Sequence, residues 1–342
     1  MFVSALDPFY LGLTAIISGG MQIVGFAIAF ILKTDMITDF WSTLTATFLI
    51  LVTLNFGAAY TARNIVASVF GMFWALRLGG FQLFRVAKMG GDSRFDEMRS
   101  NYIKFGAFWF FQFLWIWVIT MPINVLNSPA VTRPEDGYGG THKPSFNTAK
   151  DILGIIIWAV GLGCEAWADI AKYRFKSVIK APKGAIINTG PWKWSRRPNY
   201  FGEILNWLGI YLVCIAPANT SEISQRGHDA LLATVVSPIF TTLLLLFVSG
   251  VPTAEKPSQQ KYYTMSAKGD TLEPFGKDQR DQDPWRRYKA FKNRTSLLVP
   301  IPPQLYKPLP KFVKTWLLLD LPVFQFNESK EGPKVMEEAR ED

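Results

Sequence analysis

Charged side chains are scarce in this chain. Only 18% of its 342 residues are Asp, Glu, Lys or Arg, where a soluble domain carries about a quarter. Cysteine occurs twice, as Cys164 and Cys214, and both lie inside apolar runs. No disulfide framework or zinc cluster can be assembled from them. Histidine is equally rare: His142 and His228 both fall in polar connections. A membrane di-iron hydroxylase or desaturase needs many imidazole ligands, so that class is excluded on inventory and no metal is expected.

What is present is apolar surface, with 49% hydrophobic and 15% aromatic residues. Crossing about 30 Å of hydrocarbon takes about 20 apolar residues in a helix. Seven stretches qualify: 9–32, 40–60, 65–86, 105–125, 152–170, 200–218 and 230–251. The expected fold is an all-α membrane protein with about seven transmembrane helices. The first stretch lacks a basic leader and a small-residue cleavage site, so it is not expected to be a cleaved signal. A composition-based division gives a bundle over 1–252, a tail over 253–303 closing on the cofactor side, and an extension over 304–342. Within that extension, 316–323 is too short to span and is expected on the membrane surface or on the protein body. The charged end, 327–342, is expected to be disordered.

The net charge of +9 does not indicate nucleic acid, because the cations sit between apolar runs and in the tail. The 172–197 connection holds Lys172, Arg174, Lys176, Lys180, Lys183, Lys193, Arg196 and Arg197 with no acid among them. The 85–104 connection is also rich in cations, whereas the 126–151 and 219–229 connections are poor in them. The positive-inside rule then puts the basic loops and the tail in the cytosol, with the N-terminus outside or lumenal. In a eukaryote the membrane would be the endoplasmic reticulum. The Asn219 sequon would face the lumen and the Asn293 sequon the cytosol.

Ionisable groups inside a span are costly, at roughly 2.5–3.5 kcal/mol each on insertion scales, and so mark sites. Glu165, Asp169, Lys172 and Lys176 are spaced four, three and four apart, which lines them along one helix face. The structural alternative is a self-neutralised set of ion pairs with snorkelling lysines. The next stretch reads Arg196-Arg197-Pro198-Asn199-Tyr200-Phe201-Gly202-Glu203. Proline suits a first helical turn, and two guanidinium groups beside free N–H groups at a helix start suit phosphate. The structural alternative is two arginines that only set orientation. Gly161-Leu162-Gly163-Cys164-Glu165-Ala166 imitates a dinucleotide fingerprint but follows no strand, so it carries no such meaning.

Together these segments resemble the DUF1295 / steroid 5α-reductase C-terminal-domain family. The stretch from Gly190-Pro191-Trp192 to Gly202-Glu203 is similar to its signature. Gly161-x3-Glu165-x2-Ala168-Asp169-x2-Lys172 is a second match, and Arg77-Leu78-Gly79-Gly80 with Asp92-Ser93-Arg94-Phe95 a third. Asp39-Phe40-Trp41, Ser249-Gly250-Val251-Pro252 with Glu255, and Tyr288-x6-Thr295-x4-Pro300 extend the likeness over roughly 35–303. The resemblance implies a membrane reductase that holds NADPH and reduces a double bond conjugated to a ketone in a lipophilic, steroid-like substrate reached from the membrane lipid. It implies cofactor contacts from Asp169, Lys176, Asn199 and Tyr200, phosphate contacts from Arg94 and Arg196, and a polar anchor at Glu203. Arg77, Glu165, Lys172, Trp192, Arg197, Glu255 and Tyr288 complete the implied cofactor set. Asp39, Asn55 and Tyr60 are the candidates for the donor that polarises the ketone. The sequence departs from the signature at Arg197, where His is usual, at Trp194 for Tyr, and at Ala171 for Gln. Two other readings remain open: an S-adenosylmethionine-dependent isoprenylcysteine or phospholipid methyltransferase, and a non-catalytic subunit with membrane-complex partners docked through the tail.

Overall fold

The computed structural model describes residues 7–58, 60–89, 101–132, 145–219, 223–275 and 279–341. Its main helices are α1 (Leu11–Ile31), α2 (Thr38–Gly57), α3 (Ala62–Met89), α4 (Tyr102–Leu126) and α5 (Ala149–Tyr173). They continue with α6 (Pro198–Cys214), α7 (Gln225–Ala233), α8 (Val236–Leu243), α9 (Val251–Ala267), α10 (Pro284–Arg294) and α11 (Glu328–Glu341). Among the described residues no strand forms, and an isolated bridge joins Ser195 to Ser296. This is an integral, all-helical membrane protein.

Among the described residues, six helical runs are long and apolar enough to span: Leu11–Ile31, Thr38–Gly57, Ala62–Lys88, Tyr102–Thr132, Ala149–Val178 and Gln225–Ala267. The expected span that is missing from these, 200–218, is the short one. Helix α6 has 17 residues, about 26 Å at 1.5 Å per residue, and a 3₁₀ turn over Ala216–Asn219 follows it. The last run is longer than the sequence stretch 230–251, because α7, α8, a π-helical turn over Leu244–Val248 and α9 follow one another closely. The charged end, expected to be disordered, folds as α11. Composition could not show that Glu331 reaches Lys256 at 2.8 Å and Glu328 reaches Lys289 at 3.4 Å.

The chain forms two compact units, Met1–Ala159 with Leu205–Thr241, and Val160–Ile204 with Thr242–Asp342. In the first, small and polar residues fill much of the buried faces of the first two helices, beside an apolar core of residues such as Leu49, Ile50, Trp74 and Ile119. On α1 the buried residues are Thr14, Ser18, Gln22, Gly25 and Ala29, one face at spacings of three and four, while Ile16, Ile23 and Ile31 are exposed. On α2, Ser42, Thr43, Thr45, Ala46 and Thr53 are buried together with Leu49 and Ile50, while Phe48 and Leu51 are exposed. Lipid tails solvate an isoleucine as well as another isoleucine does, so helices associate through small residues and polar bonds. Gln22 Nε2 donates to Thr45 Oγ1 at 3.2 Å. Asn124 accepts from Thr53 and donates to Thr120, and Asn64 donates to Asn127 at 2.8 Å. Gly25 lets α1 meet Trp41 and Trp109, since an added Cβ would come within 2.6 Å of both rings.

A buried ion pair closes one end of this unit. Arg63, in the first turn of α3, donates Nε to Asp151 Oδ1 and Nη2 to Oδ2, both at 2.8 Å, with 3% and 0% side-chain exposure. Asp151 also accepts from the backbone N–H and hydroxyl of Thr148, whose hydroxyl in turn accepts from the Asp151 N–H. That reciprocal arrangement is a capping box starting α5. Removing one member leaves an unpaired buried charge, at a cost of about 3–5 kcal/mol. Asp151→Ala and Arg63→Ala should therefore each lower the thermal midpoint of detergent-solubilised protein. The double variant should lose less than the two single losses added together, and simple additivity would reject the pairing.

Candidate functional site

The signature stretch lies wholly within the second unit, where it is fastened at both ends. Gly190 takes φ 56°, the left-handed region, and opens a 3₁₀ turn over Gly190–Lys193. Glycine has no Cβ penalty there. The turn places Trp192 in the core, where its indole N–H donates to the Ala168 carbonyl of α5 at 2.8 Å and Lys172 Nζ lies 5.3 Å over its ring. Beyond it, the chain pairs with the tail. Arg196 N–H donates to the Ser296 carbonyl at 2.8 Å and Arg197 N–H to the Leu297 carbonyl at 3.0 Å, while Ser195 Oγ donates to the carbonyls of Leu297 and Leu298.

Helix α6 then crosses α5 at a glycine. A Cβ on Gly202 would lie 2.6 Å from the Gly161 carbonyl oxygen and 2.7 Å from Glu165 N. Gly161, the first glycine of the false fingerprint, is thus part of a helix-crossing point. The same contact sets Glu165, 2% exposed, beside the first turns of α6. Glu165, Asp169, Lys172, Tyr200 and Glu203 all interact with neighbouring groups, and Lys176 is exposed.

The electrostatic centre is Arg196. Its guanidinium, 2% exposed, lies 3.1 Å from Glu255 Oε2 and 2.9 Å from Asp320 Oδ1. Arg197 reaches Glu255 Oε1 at 3.2 Å with 12% exposed, and Tyr306 donates its hydroxyl to Asp320 Oδ2 at 3.2 Å. Burial opposes the Arg196 charge, but Glu255 and Asp320 outweigh it and hold the pKa above the ordinary arginine value. Lys292, whose ammonium donates to Gln259 Oε1 at 2.9 Å, is shifted the other way: burial first, then Arg196, lower its pKa. Tyr288 is stacked on Tyr262 at 4.7 Å, and burial raises its pKa.

Distance and alignment differ at this cluster. The Arg196 contacts are close enough for ion pairing, yet Nε, Nη1 and Nη2 have no aligned hydrogen-bond acceptor. Arg197 Nε, Asn199 Oδ1 and the Thr295 and Ser296 hydroxyls are likewise buried without a partner. Buried polar groups are normally satisfied, so such a concentration calls for an explanation. Arginine and hydroxyl donors fit phosphate oxygens, and the residues present suit a dinucleotide phosphate in type. The two carboxylates set a limit, because they already neutralise most of the Arg196 charge.

The other expected residues belong to the first unit. Asp39 is in the first turn of α2, and Gly79, two residues beyond Arg77, packs on Thr43 and Phe40. Asp39 and Arg77 therefore share one end of that unit. Asn55 and Tyr60, joined by a 3.1 Å hydrogen bond, lie at the other end of α2. Sixteen residues separate Asp39 from Asn55, a rise of about 24 Å, so one ketone cannot use both. Arg94 lies outside the described residues. Asp320 and Tyr306 were not anticipated. The one signal was an acid inside an otherwise apolar stretch, the pattern that singled out Glu165.

Asp320→Asn should leave Arg196 under-compensated and cost about 3–5 kcal/mol. Glu328→Gln, which removes an exposed partner of Lys289, should cost under about 1 kcal/mol. Thermal unfolding in detergent measures both, and equal small effects would show that Asp320 is dispensable.

Known proteins bear on this arrangement in two ways. The chain is similar to the steroid 5-alpha-reductase DET2 of Solanum lycopersicum, with 28% identity over 93 residues, which is 26% of this chain and 34% of that relative. The match thus spans about a third of the relative's length. No solved structure matches. The family described as a protein of unknown function (DUF1295) matches residues 25–268, from within α1 to just past α9. With that match covering most of its length, the chain belongs to the DUF1295 family, a steroid 5α-reductase-like group of membrane proteins.

Proposed function

We propose that this protein is a membrane-embedded reductase that uses NADPH to reduce a carbon–carbon double bond conjugated to a ketone in a lipophilic substrate. One observation carries the reading: unsatisfied buried donors gather on Arg196, Arg197, Thr295 and Ser296, beside the start of α6. Arg197 and Lys176, the more accessible cations, would hold phosphate. Asn199, with an unpartnered carbonyl oxygen, would accept a hydrogen bond from the cofactor. Bound there, NADPH would supply hydride. Trp192 and Gly202 keep the α5 and α6 faces in register, and Glu203 provides a carboxylate two residues past Phe201 to orient the same ligand. A donor that polarises the ketone contributes through charge developing on oxygen.

The basic connections and tail are proposed to face the cytosol, where the anionic cofactor is found, and the apolar substrate enters from the bilayer. Charge distribution supports this orientation. A fluorescent-protein fusion at the C-terminus should be lit in the cytosol and a C-terminal phosphatase fusion should be inactive. The opposite pattern would reverse the topology.

Titration of purified protein with NADPH should quench tryptophan emission saturably, and S-adenosylmethionine should not. Asn199→Ala or Arg197→Gln should weaken NADPH about tenfold, the loss of one charge-assisted hydrogen bond. Unaltered affinity in both variants would refute the assignment, and saturable S-adenosylmethionine binding would turn it toward methyl transfer.

A further inference from the structure

The tail beyond residue 303 carries an exposed apolar strip that no part of the proposed reaction uses. A π-helical turn over Val313–Leu317 sets Phe312, Trp316 and Leu317 on one side, at i, i+4 and i+5. They are 72%, 64% and 74% exposed, and Leu305 and Val323 are similarly bare. Contiguous exposed apolar surface of this kind marks an interaction face. Its other side is fixed: Leu318 and Asp320 are buried, and Tyr306 lies under Lys314 at 4.6 Å.

Two independent features say what covers it. The first is continuity with the surface of a spanning helix. Phe324 packs on Phe247 with ring centroids 6.0 Å apart, and Leu319, Leu321 and Phe324 share a cluster with Leu246 and Val251. Leu243, Phe247 and Val248 of that spanning run are themselves exposed, which for an integral membrane protein means facing lipid. The strip therefore begins where a lipid-facing helix ends. The second is charge. Lys307 and Lys311 are exposed and Lys314 half-buried within the same segment, and no acid intervenes before Asp320. Aromatic and aliphatic side chains interleaved with lysine are what the boundary between headgroups and acyl chains accepts.

We propose that residues 305–323 form an interfacial anchor, with Phe312, Trp316 and Leu317 inserted at the acyl boundary and Lys307 and Lys311 among anionic headgroups. The occupant is the lipid leaflet on the tail side. This assignment does not rest on the reductase reading. Because Asp320 sits at the end of the same segment and pairs with Arg196, leaflet contact and the site are mechanically joined through two residues.

The test uses full-length protein in nanodiscs, with a small fluorescent amino acid replacing Leu317 and, separately, Phe312. Lys330 on the exposed face of α11 is the control position. Nitroxide placed near the top of the acyl chain should quench emission at 317 and 312 at least fivefold more than at 330, and aqueous iodide should show the reverse order. Adding phosphatidylserine should increase the lipid-side quenching, and Lys307→Gln with Lys311→Gln should abolish that increase. Equal lipid quenching at 317, 312 and 330 would overturn the proposal. So would protection of 317 from both quenchers with energy transfer between labelled copies, the sign of a second chain on the strip. Quenching indifferent to phosphatidylserine in the unaltered protein would overturn the role of the lysines.

Discussion

A single buried guanidinium joins the spanning helices to the tail. Arg196 comes from the residues just before α6, Glu255 from α9, and Asp320 from a segment more than sixty residues later. Taking three charges out of water is expensive and is tolerated only if each stays paired. Moving the tail away would leave Arg196 facing one acid or none, so the tail is part of the site's wall. The backbone pairing of residues 195–197 with 296–297 follows the same constraint: it holds the arginine between its two acids.

The first unit obeys a different solvent. In lipid an exposed isoleucine costs nothing, so sequence hydrophobicity identifies spans without saying which face packs. On α1 and α2, where serine, threonine, glutamine and glycine fall does much to choose the packed face. Their positions on α1 and α2 bring the buried amide–hydroxyl pairs together and let the bulky indoles of Trp41 and Trp109 close against Gly25. A mutation that adds one methyl at Gly25 thus acts on two aromatic neighbours at once.

Much of this was legible in order of range. Apolar run length gave the spanning helices, and Pro198 marked a helix start that the structure keeps. The stripe from Glu165 to Lys172 was legible as one helical face because its spacing is local. Partnerships between distant residues were not legible. Arg63 and Asp151 are 88 positions apart, and each alone reads as an ordinary charge at a span end. Asp320 was hidden by its leucine neighbours. Helix α11 reads as disordered by composition, since its charged partners are Lys256 of α9 and Lys289 of α10, which composition cannot locate. The short α6 was overestimated because the apolar run continues past Cys214 into a 3₁₀ turn that is no longer α-helical.

Two adjacent arginines illustrate how far residue type constrains role. Arg196 is sealed between two acids, whereas Arg197 shares one of them and keeps 12% of its side chain accessible. A ligand anion must compete with two carboxylates for the first and with one for the second. The signature resembled here usually has histidine at the second position, a ring that is only partly charged near neutral pH. Arginine there stays charged at every physiological pH and offers a planar fork of donors. The substitution therefore exchanges a titrating group for a permanent cation, placed where the neighbouring arginine is already consumed. For anion binding that is a gain in charge; for a proton relay it is a loss, and any such relay in this chain must run through another residue.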